Sequence, residues 1–509
     1  MDTTRKDSLA SFWNGLSLKS SEVIYIYMSV IIAATILWLA WTSASSYFRT
    51  RARGQLPPGS FGFPIIGDTV QFVLAIGSDV GYRKWLQKKI AKYGPVFKWS
   101  FQGMPVVVMD PPGGHKFLFQ NEGKLLETYS PVQMVSLWGD DSIVLQLGER
   151  HKLLRRHLSR FFDHASISRY LEGVNRNVVQ HFSRHWADKE ESEFELVPFD
   201  VISLYTFSDI CNLLMSLDEG PELESFLKEF LKWQNGLLCL PINLPGFTYY
   251  KALKARKSIL RILGEYVKQR KREVAEGRVS ERAKLDILTN LLTVPNENGN
   301  LLSDSSIYDN LLMLLVAGFS TTSSALAMTI FYIGKNPEVY EQLVKEHKSI
   351  LDRKREEGKD DVLIMDDLSA MRYTWQVIQE TLRLQPPVGA LFRRTTMDCE
   401  YKGYAIPKDW KLMCNIVNSH YDLNCFNEPM TFNPSRWEQP PIPFTFMPFG
   451  GGQRTCLGIE FAKMQMLVFI HHLVRRCRWS VTDPNETIIR DPVPRTQKTI
   501  KITSVAMSA

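Results

Sequence analysis

The first strongly patterned part of the chain is an apolar stretch at residues 23–41 that contains no charged residue. As a helix rising about 1.5 Å per residue it would be roughly 28 Å long, close to the roughly 30 Å hydrocarbon core of a bilayer. Tyrosine and tryptophan side chains lie near its two ends, where interfacial aromatic residues belong. A cleaved signal peptide is the competing interpretation, but this stretch is longer than a usual signal-peptide core. We therefore predict a transmembrane anchor at 23–41, after a lead at 1–22.

A proline-rich segment follows the apolar stretch. Lysines and arginines flank the stretch on both sides, so the positive charges do not decide its orientation. Residues 56–60 read Leu-Pro-Pro-Gly-Ser, which cannot continue a helix. We predict a semi-rigid hinge at the end of a linker over 42–60, and one large domain at 61–509.

Within that domain the hydrophobic pattern predicts mostly helices. Residues 94–101 and 105–110 read as two β-strands joined by a glycine-containing turn. After them, apolar residues recur at three- and four-residue spacing. The clearest helix is predicted to start at Asp304 as N-cap and to run to Gly334, and it is apolar on nearly every face, as in a helix through the centre of a large fold. A second helix is predicted over 366–384. The fold class is mainly α with a small β region.

Composition adds two exclusions. The net charge of +7 is spread along the chain, and no basic run is interleaved with aromatic residues, so a nucleic-acid partner is not expected. The seven cysteines are odd in number and show no closely spaced pairs, which argues against a disulfide framework and a cysteine zinc site. The large domain is therefore predicted to lie in a reducing compartment.

One cysteine stands in a glycine-rich loop. Residues 449–458 read Phe-Gly-Gly-Gly-Gln-Arg-Thr-Cys-Leu-Gly and fit the pattern F-x-x-G-x-R-x-C-x-G. Five fixed positions at about 5% usage each would match by chance on the order of once in ten thousand chains of this length. The glycines let the backbone fold tightly around Cys456, and the helix expected after Gly458 would favour the thiolate through its terminal amides and dipole.

With this loop the chain resembles the cytochrome P-450 family of the eukaryotic microsomal type, along essentially its whole length. Two more segments match in the family's order: Glu-Thr-Leu-Arg at 380–383 and Phe-Asn-Pro-Ser-Arg-Trp at 432–437. The resemblance implies a cytochrome P-450 fold behind the N-terminal transmembrane helix, and haem b with Cys456 as the iron ligand. It also implies that Glu380, Arg383 and Arg436 form a buried charge network that braces the haem loop.

The resemblance also implies which residues bind the haem propionates. His151 and Arg155 fit the family helix that supplies an aromatic or histidine residue and, four residues later, an arginine. One helical turn apart, they can point the same way. Arg393 aligns with another propionate arginine, although Arg394 beside it is an alternative. Arg454, two residues before the cysteine, is a further partner for a propionate.

Residues 317–322, Ala-Gly-Phe-Ser-Thr-Thr, resemble the family's oxygen-activating turn on the central helix. By that resemblance Gly318 leaves room for dioxygen over the iron, and Thr321 donates a hydrogen bond to it. Ser320 departs from the pattern, because the family usually has a carboxylate there. Serine, water and another carboxylate would then have to relay protons.

Within the family the chain is most similar to plant enzymes that oxidise steroids, abscisic acid, triterpenoids and taxane-type diterpenoids. The similarity rests on framework phrases such as Asn-Leu-Pro-Gly at 243–246 and Thr-Phe-Met-Pro-Phe-Gly at 445–450. The pocket walls are expected at 130–138, 312–319, 387–391 and 494–497, which are mostly apolar, as a bulky terpenoid or sterol would need.

These expectations combine into a monooxygenase that hydroxylates a terpenoid or sterol with dioxygen and NADPH-derived electrons. Since no flavin or nicotinamide fingerprint is evident, the electrons are expected from a separate NADPH–cytochrome P-450 reductase. The expected location is the endoplasmic reticulum membrane, with a single N-terminal anchor and a cytosolic catalytic domain. The alternatives are an oxygen-independent haem-thiolate isomerase or dehydratase and, from another class, a haem sensor or electron carrier.

Overall fold

The structure is a computed structural model that describes residues 27–38, 40, 54–62, 67–186 and 193–504. Its helices are α1 (Tyr27–Trp38), α2 (Thr69–Ile76), α3 (Asp79–Tyr93), α4 (Gly113–Gln120), α5 (Val132–Trp138), α6 (Gly148–Ser159), α7 (His164–His185), α8 (Pro198–Met215), α9 (Pro221–Gln234), α10 (Thr248–Ala275), α11 (Ile287–Thr293), α12 (Asp304–Lys335), α13 (Pro337–Glu356), α14 (Met365–Ala370), α15 (Arg372–Leu384), α16 (Ile416–Tyr421) and α17 (Ile459–Arg476). Short 3-10 helices cover Ala283–Leu285, Pro434–Glu438 and Gly452–Arg454.

In the described ranges the strands are short and form four separate sheets. They are β1 (Phe97–Phe101), β2 (Met104–Met109), β3 (Leu126–Thr128), β4 (Glu193–Leu196), β5 (Ala390–Thr395), β6 (Cys399–Tyr401), β7 (Tyr404–Ile406), β8 (Lys411–Asn415), β9 (Cys477–Val481), β10 (Ile489–Arg490), β11 (Pro494–Arg495) and β12 (Ile500–Ser504). The largest sheet has the order β1-β2-β8-β5-β3, in which only β2 and β8 run parallel. The predicted class, mainly α with a small β region, is confirmed.

The long helix α12 runs through the centre of the molecule. Although it is long and apolar enough to cross a membrane, most of its most apolar window is buried inside the protein. The reason is its close neighbour α8: a Cβ atom on Gly318 would lie 2.7 Å from Cδ1 of Ile210. The expected central helix is therefore confirmed, but its N-cap is Ser303, whose side chain accepts from the Ser306 amide at 3.2 Å, and not Asp304.

The helix predicted over 366–384 is two helices, α14 and α15. The break between them is at Met371. A carboxylate from α13 caps the first turn of the second helix. Glu346 accepts from the backbone amides of Tyr373 and Thr374 at 2.6 and 2.9 Å, which satisfies amides that a helix start leaves free. This tertiary cap is not visible in the local pattern.

The proline-rich hinge and the residue before it are bound to strands β1 and β7. The Lys98 amide of β1 donates to the Pro58 carbonyl at 2.7 Å, and the Ala405 amide donates to the Gln55 carbonyl at 2.8 Å. The C-terminal end of the linker predicted over 42–60 is therefore attached to the large domain. Helix α1 lies within the predicted anchor and its large apolar side chains are exposed, while the lead at 1–22 and residues 41–53 lie outside the described ranges.

A buried carboxyl group links three helices of the core. Asp209 of α8 accepts hydrogen bonds from Asn177 Nδ2 of α7 at 2.9 Å and from Gln465 Nε2 of α17 at 2.8 Å. Burial raises the pKa of Asp209 to about 6, although both hydrogen bonds act in the opposite direction. The folded protein therefore binds this proton more tightly than the unfolded chain does.

We expect Asp209→Asn to raise the thermal unfolding midpoint at pH 7.5, and to raise it less at pH 5. Folding raises the pKa of this acid from 3.8 to about 6, so wild-type stability falls as the pH rises between these values and stays lower above them. The ionisation costs the wild type at most about 3 kcal/mol. Among the described residues the Gln465 side-chain oxygen has no hydrogen-bond partner, so its amide can flip to accept from the new asparagine. Unfolding midpoints at pH 5, 6 and 7.5 measure this, and a pH-independent difference would contradict it.

Candidate functional site

The cysteine loop folds tightly just before α17. The Cys456 amide donates to the Phe449 carbonyl at 3.0 Å, which closes the loop. Gly450 and Gly452 both have φ of +70°, a left-handed conformation that other residues rarely adopt. A Cβ atom on Gly451 would lie 3.2 Å from the ring of Phe119. The glycines are thus required by backbone conformation and by close packing.

Cys456 is in contact with solvent, but many protein atoms lie around its thiol and reduce its solvation. Burial raises the pKa of the Cys456 thiol, while the Gly458 amide and the Arg155 guanidinium act in the opposite direction. The Gly458 amide at the start of α17 therefore acts in the expected direction on the pKa of the thiol, but burial has the larger and opposite effect. A coordinating metal ion deprotonates a thiol outright.

Three predicted arginines converge beside the loop. Arg155 of α6 donates to the Thr455 carbonyl at 2.7 Å. Arg393 of β5 and Arg454 of the loop both pair with one carboxylate, that of Glu122, at 3.1 and 3.0 Å. Arg394 instead pairs with Glu127 and is exposed. The structure thus places Arg393, and not Arg394, with the other two arginines.

The charges of this cluster suit a dianion. Three guanidinium groups face one carboxylate, which leaves two positive charges that two propionates would balance. Burial, followed by repulsion from Arg454 and Arg155, lowers the pKa of His151 to about 4. His151 is therefore neutral near pH 7 and can contribute a hydrogen bond but no charge. These residues therefore fit the two propionates of a haem, which Arg155, Arg393 and Arg454 would bind.

Glu122 was not among the predicted site residues. It lies between α4 and β3 and is buried, and its partners are more than 250 residues away along the chain. No spacing or motif connects residue 122 with Arg393 or Arg454, so only the folded structure shows the contact.

We expect Glu122→Gln to lower the unfolding midpoint of the haem-free protein more than that of the haem-loaded protein. Without Glu122 the buried Arg393 and the partly buried Arg454 lose their shared anion, and the propionates supply anions only in the loaded form. Calorimetry on both forms measures the difference. Glu127→Gln, on the exposed Arg394 pair, is the control and should change neither midpoint by more than about a degree. Equal losses in both forms would contradict the charge balance.

The structure also brings the second predicted cluster together. Arg383 donates to both oxygens of Glu380 at 2.9 and 2.8 Å, and Arg436 Nε lies 3.2 Å from each of them. Trp437 Nε1 and the Asn433 amide also donate to Glu380. Arg383 reaches the carbonyls of 420, 429 and 431, so the network ties α15 to the segment that leads to the cysteine loop.

Along the buried helix α12 one stripe stays accessible. Its members are Met313, Ala317 and Thr321, each four residues after the previous one. Thr321 is partly accessible and donates to the Ala317 carbonyl at 2.6 Å, whereas Ser320 is buried and donates to the Val316 carbonyl at 3.2 Å. The two hydroxyl groups therefore lie on different faces of the helix.

This stripe corrects part of the predicted pocket wall. Of the segment 312–319, only Met313, Ala317 and Gly318 are accessible, and Phe319 instead packs against Phe207. Gly318 is required by the approach of Ile210. Its predicted role in leaving room for dioxygen remains a prediction.

Comparison with known proteins agrees with this geometry. The family model for Cytochrome P450 matches residues 57–503. The chain is 36% identical to Taxane 10-beta-hydroxylase of Taxus cuspidata over 94% of this chain and 94% of that protein. It is 35% identical to Beta-amyrin 28-monooxygenase of Vitis vinifera over 94% and 98%. Among solved structures, the retinoic acid-bound cyanobacterial CYP120A1 superposes with a TM-score of 0.78 at 28% identity, over 89% of this chain and all of the other.

Proposed function

Because the chain belongs to the cytochrome P450 family, we propose that it is a haem-thiolate monooxygenase that hydroxylates a bulky terpenoid. The enzyme class and the haem follow from the family. The substrate class, the roles of single residues and the membrane anchor are the parts that we propose.

One observation carries the proposal. The exposed Cys456 lies beside the arginine cluster, which has two unbalanced positive charges. Helix α12 is otherwise buried but has one accessible stripe. The thiolate ligand and the propionate partners that a haem requires thus occur together. A haem would be held by Cys456 and by these arginines, and the stripe of Met313, Ala317 and Thr321 would offer contacts to a substrate.

When bound, the haem iron activates dioxygen, and the Cys456 thiolate supplies electron density to it. The residues of the chain have separate tasks. Arg155, Arg393 and Arg454 orient the propionates, and His151 donates a hydrogen bond beside them. Glu380, Arg383 and Arg436 hold the loop that presents Cys456.

Thr321 is the hydroxyl group that we propose to pass protons. Its Oγ1 lies on the accessible stripe, and its bond to the Ala317 carbonyl can be exchanged for one to a substrate oxygen or a water. Ser320 lies behind it, with its hydroxyl bound to the Val316 carbonyl. We propose that Ser320 relays protons only by way of a water molecule, because a serine hydroxyl does not carry a charge as a carboxylate does.

The substrate class rests on the relatives and on the apolar stripe. The two relatives named above carry names of enzymes that act on a taxane and on beta-amyrin, a diterpenoid and a triterpenoid skeleton. Met313 and Ala317 offer apolar contacts of the kind that a polycyclic hydrocarbon needs. A sterol is also a bulky polycyclic molecule and belongs to the same group of candidate substrates.

We propose that residues 23–41 anchor the enzyme in the endoplasmic reticulum membrane, with the large domain in the cytosol. The exposed apolar side chains of α1 support this, because a helix with apolar side chains on all faces is stable in lipid. The electron donor is proposed to be a membrane-bound NADPH–cytochrome P-450 reductase.

The test is co-expression with such a reductase in yeast, whose membranes are supplied with a taxane or with beta-amyrin under ¹⁸O₂. We expect one product that carries a single ¹⁸O atom and that forms only with NADPH. A product without the label, formed without NADPH, would instead favour the isomerase or dehydratase. Haem binding without any product from a broad terpenoid panel would favour a sensor or electron carrier.

A further inference from the structure

Two histidines and a glutamate meet at the end of helix α7, away from the cysteine loop. His181 and His185 stand one helical turn apart, and both face Glu219 in the loop after α8. His185 Nε2 lies 2.8 Å from Glu219 Oε1, and His181 Nδ1 lies 3.6 Å from Glu219 Oε2. One ligand atom from each residue lies within 4.8 Å of the others.

These separations suit a small tetrahedral cation. Zn²⁺ forms bonds of about 2.0–2.2 Å to histidine nitrogen and carboxylate oxygen, so its ligand atoms lie about 3.3 Å apart. The two histidine nitrogens lie 2.8 and 3.6 Å from the two different oxygens of Glu219, so a small shift of the carboxylate would bring one oxygen to that distance from both. Two histidines and one carboxylate leave the fourth position for water, an arrangement that zinc adopts in proteins.

A second observation points to a missing ligand. The His181 side chain is 1% exposed, and within the described part of the chain neither of its ring nitrogens has a hydrogen-bond partner. Buried polar atoms nearly always have one. Glu219 Oε2 lies 3.6 Å from Nδ1, beyond hydrogen-bond distance, and a cation between the two imidazoles would give Nδ1 a bonded partner. His185 is partly exposed, so an ion can enter from solvent.

Arg184 competes for the same carboxylate. Its Nη1 lies 3.3 Å from Glu219 Oε1, so without metal the cluster is a small network of ion pairs. The Arg184 side chain is half exposed and can turn into solvent at little cost. It therefore does not block the approach of a cation.

We propose that His181, His185 and Glu219 bind a divalent d-block cation such as Zn²⁺, with water as the fourth ligand. The ion links the C-terminal end of α7 to the loop after α8. Its role is to stabilise this corner of the fold, since none of the three residues contacts the cysteine loop in the described structure.

The test uses the full-length, haem-loaded protein with its accessible thiols alkylated and its metal removed by EDTA and dialysis. Zn²⁺ is then added as zinc chloride, bound zinc is counted by mass spectrometry, and the thermal unfolding midpoint is recorded with and without it. The wild type should bind one more equivalent than His185→Ala and should gain several degrees that the variant does not gain. Glu219→Gln should weaken binding at least tenfold.

The matched control is His164→Ala, which removes an exposed histidine at the other end of the same helix and should keep the wild-type zinc response. Mg²⁺ should produce no shift, because it prefers oxygen ligands. Midpoints in EDTA show whether each variant folds. If folded His185→Ala and Glu219→Gln bind zinc as the wild type does, or if the wild type binds none, the site does not exist.

Discussion

Replacing Cys456 by serine is expected to abolish the long-wavelength Soret band of the reduced carbon-monoxide complex and all hydroxylation. A serine hydroxyl is a much weaker donor to iron than a thiolate, and it cannot supply the electron density that the chemistry requires. The fold should survive, because the Cys456 side chain is exposed and the loop is held by the amide of residue 456 and by the arginines around it.

The measurement is a reduced carbon-monoxide difference spectrum, together with product analysis in reductase-containing membranes. Cys425→Ser is the matched control, since this cysteine also lies in a loop and is partly exposed. It should keep both the band and the activity. An unchanged band in the Cys456 variant would mean that another residue ligates the iron, and the central assignment would fail.

Glu380→Ala should prevent accumulation of stable haem-loaded protein. Glu380 and Arg383 are both fully buried. The Glu380 carboxylate also accepts hydrogen bonds from Arg436, from Trp437 and from the Asn433 amide. Removing it leaves a buried guanidinium without its anion, which costs about 3–5 kcal/mol. That is a large part of the stability of an ordinary domain.

The control is Glu229→Ala on α9. Glu229 and Lys232 have the same three-residue spacing and lie 2.6 Å apart, but Lys232 is mostly exposed. This substitution should cost less than about 0.5 kcal/mol. Yield of haem-loaded protein and the thermal unfolding midpoint give the comparison. If both variants lose the same small amount, burial of the Glu380 network does not contribute to stability in the way that we describe.

Signals that are local in the chain were sufficient to predict several of the elements and to select Cys456 as the candidate haem ligand. The strands near 97–109 and helix α12 follow from alternation and from apolar content, because a strand or helix face is set by residues two to four positions apart. Cys456 was identified because its neighbours must be glycines for the loop to close, so the requirement is visible in ten consecutive letters.

Contacts between distant segments could not be read in this way. The cap that Glu346 places on α15 splits one predicted helix into two, and it comes from a different helix. The choice between Arg393 and Arg394 depends on which face of β5 contacts Glu122. Neighbouring strand residues point to opposite faces, and the sequence does not show which face that is.

The sequence by itself therefore determined the fold class, the family resemblance and the cysteine that we propose as the iron ligand. Only the tertiary structure decided that Glu122 is shared by two arginines, that Thr321 is accessible while Ser320 is buried, and that Glu219 meets two histidines. The physical reason is that charge pairing and burial act over a few ångströms in space, whatever the separation along the chain. A motif records such a contact only when its partners are also close in sequence.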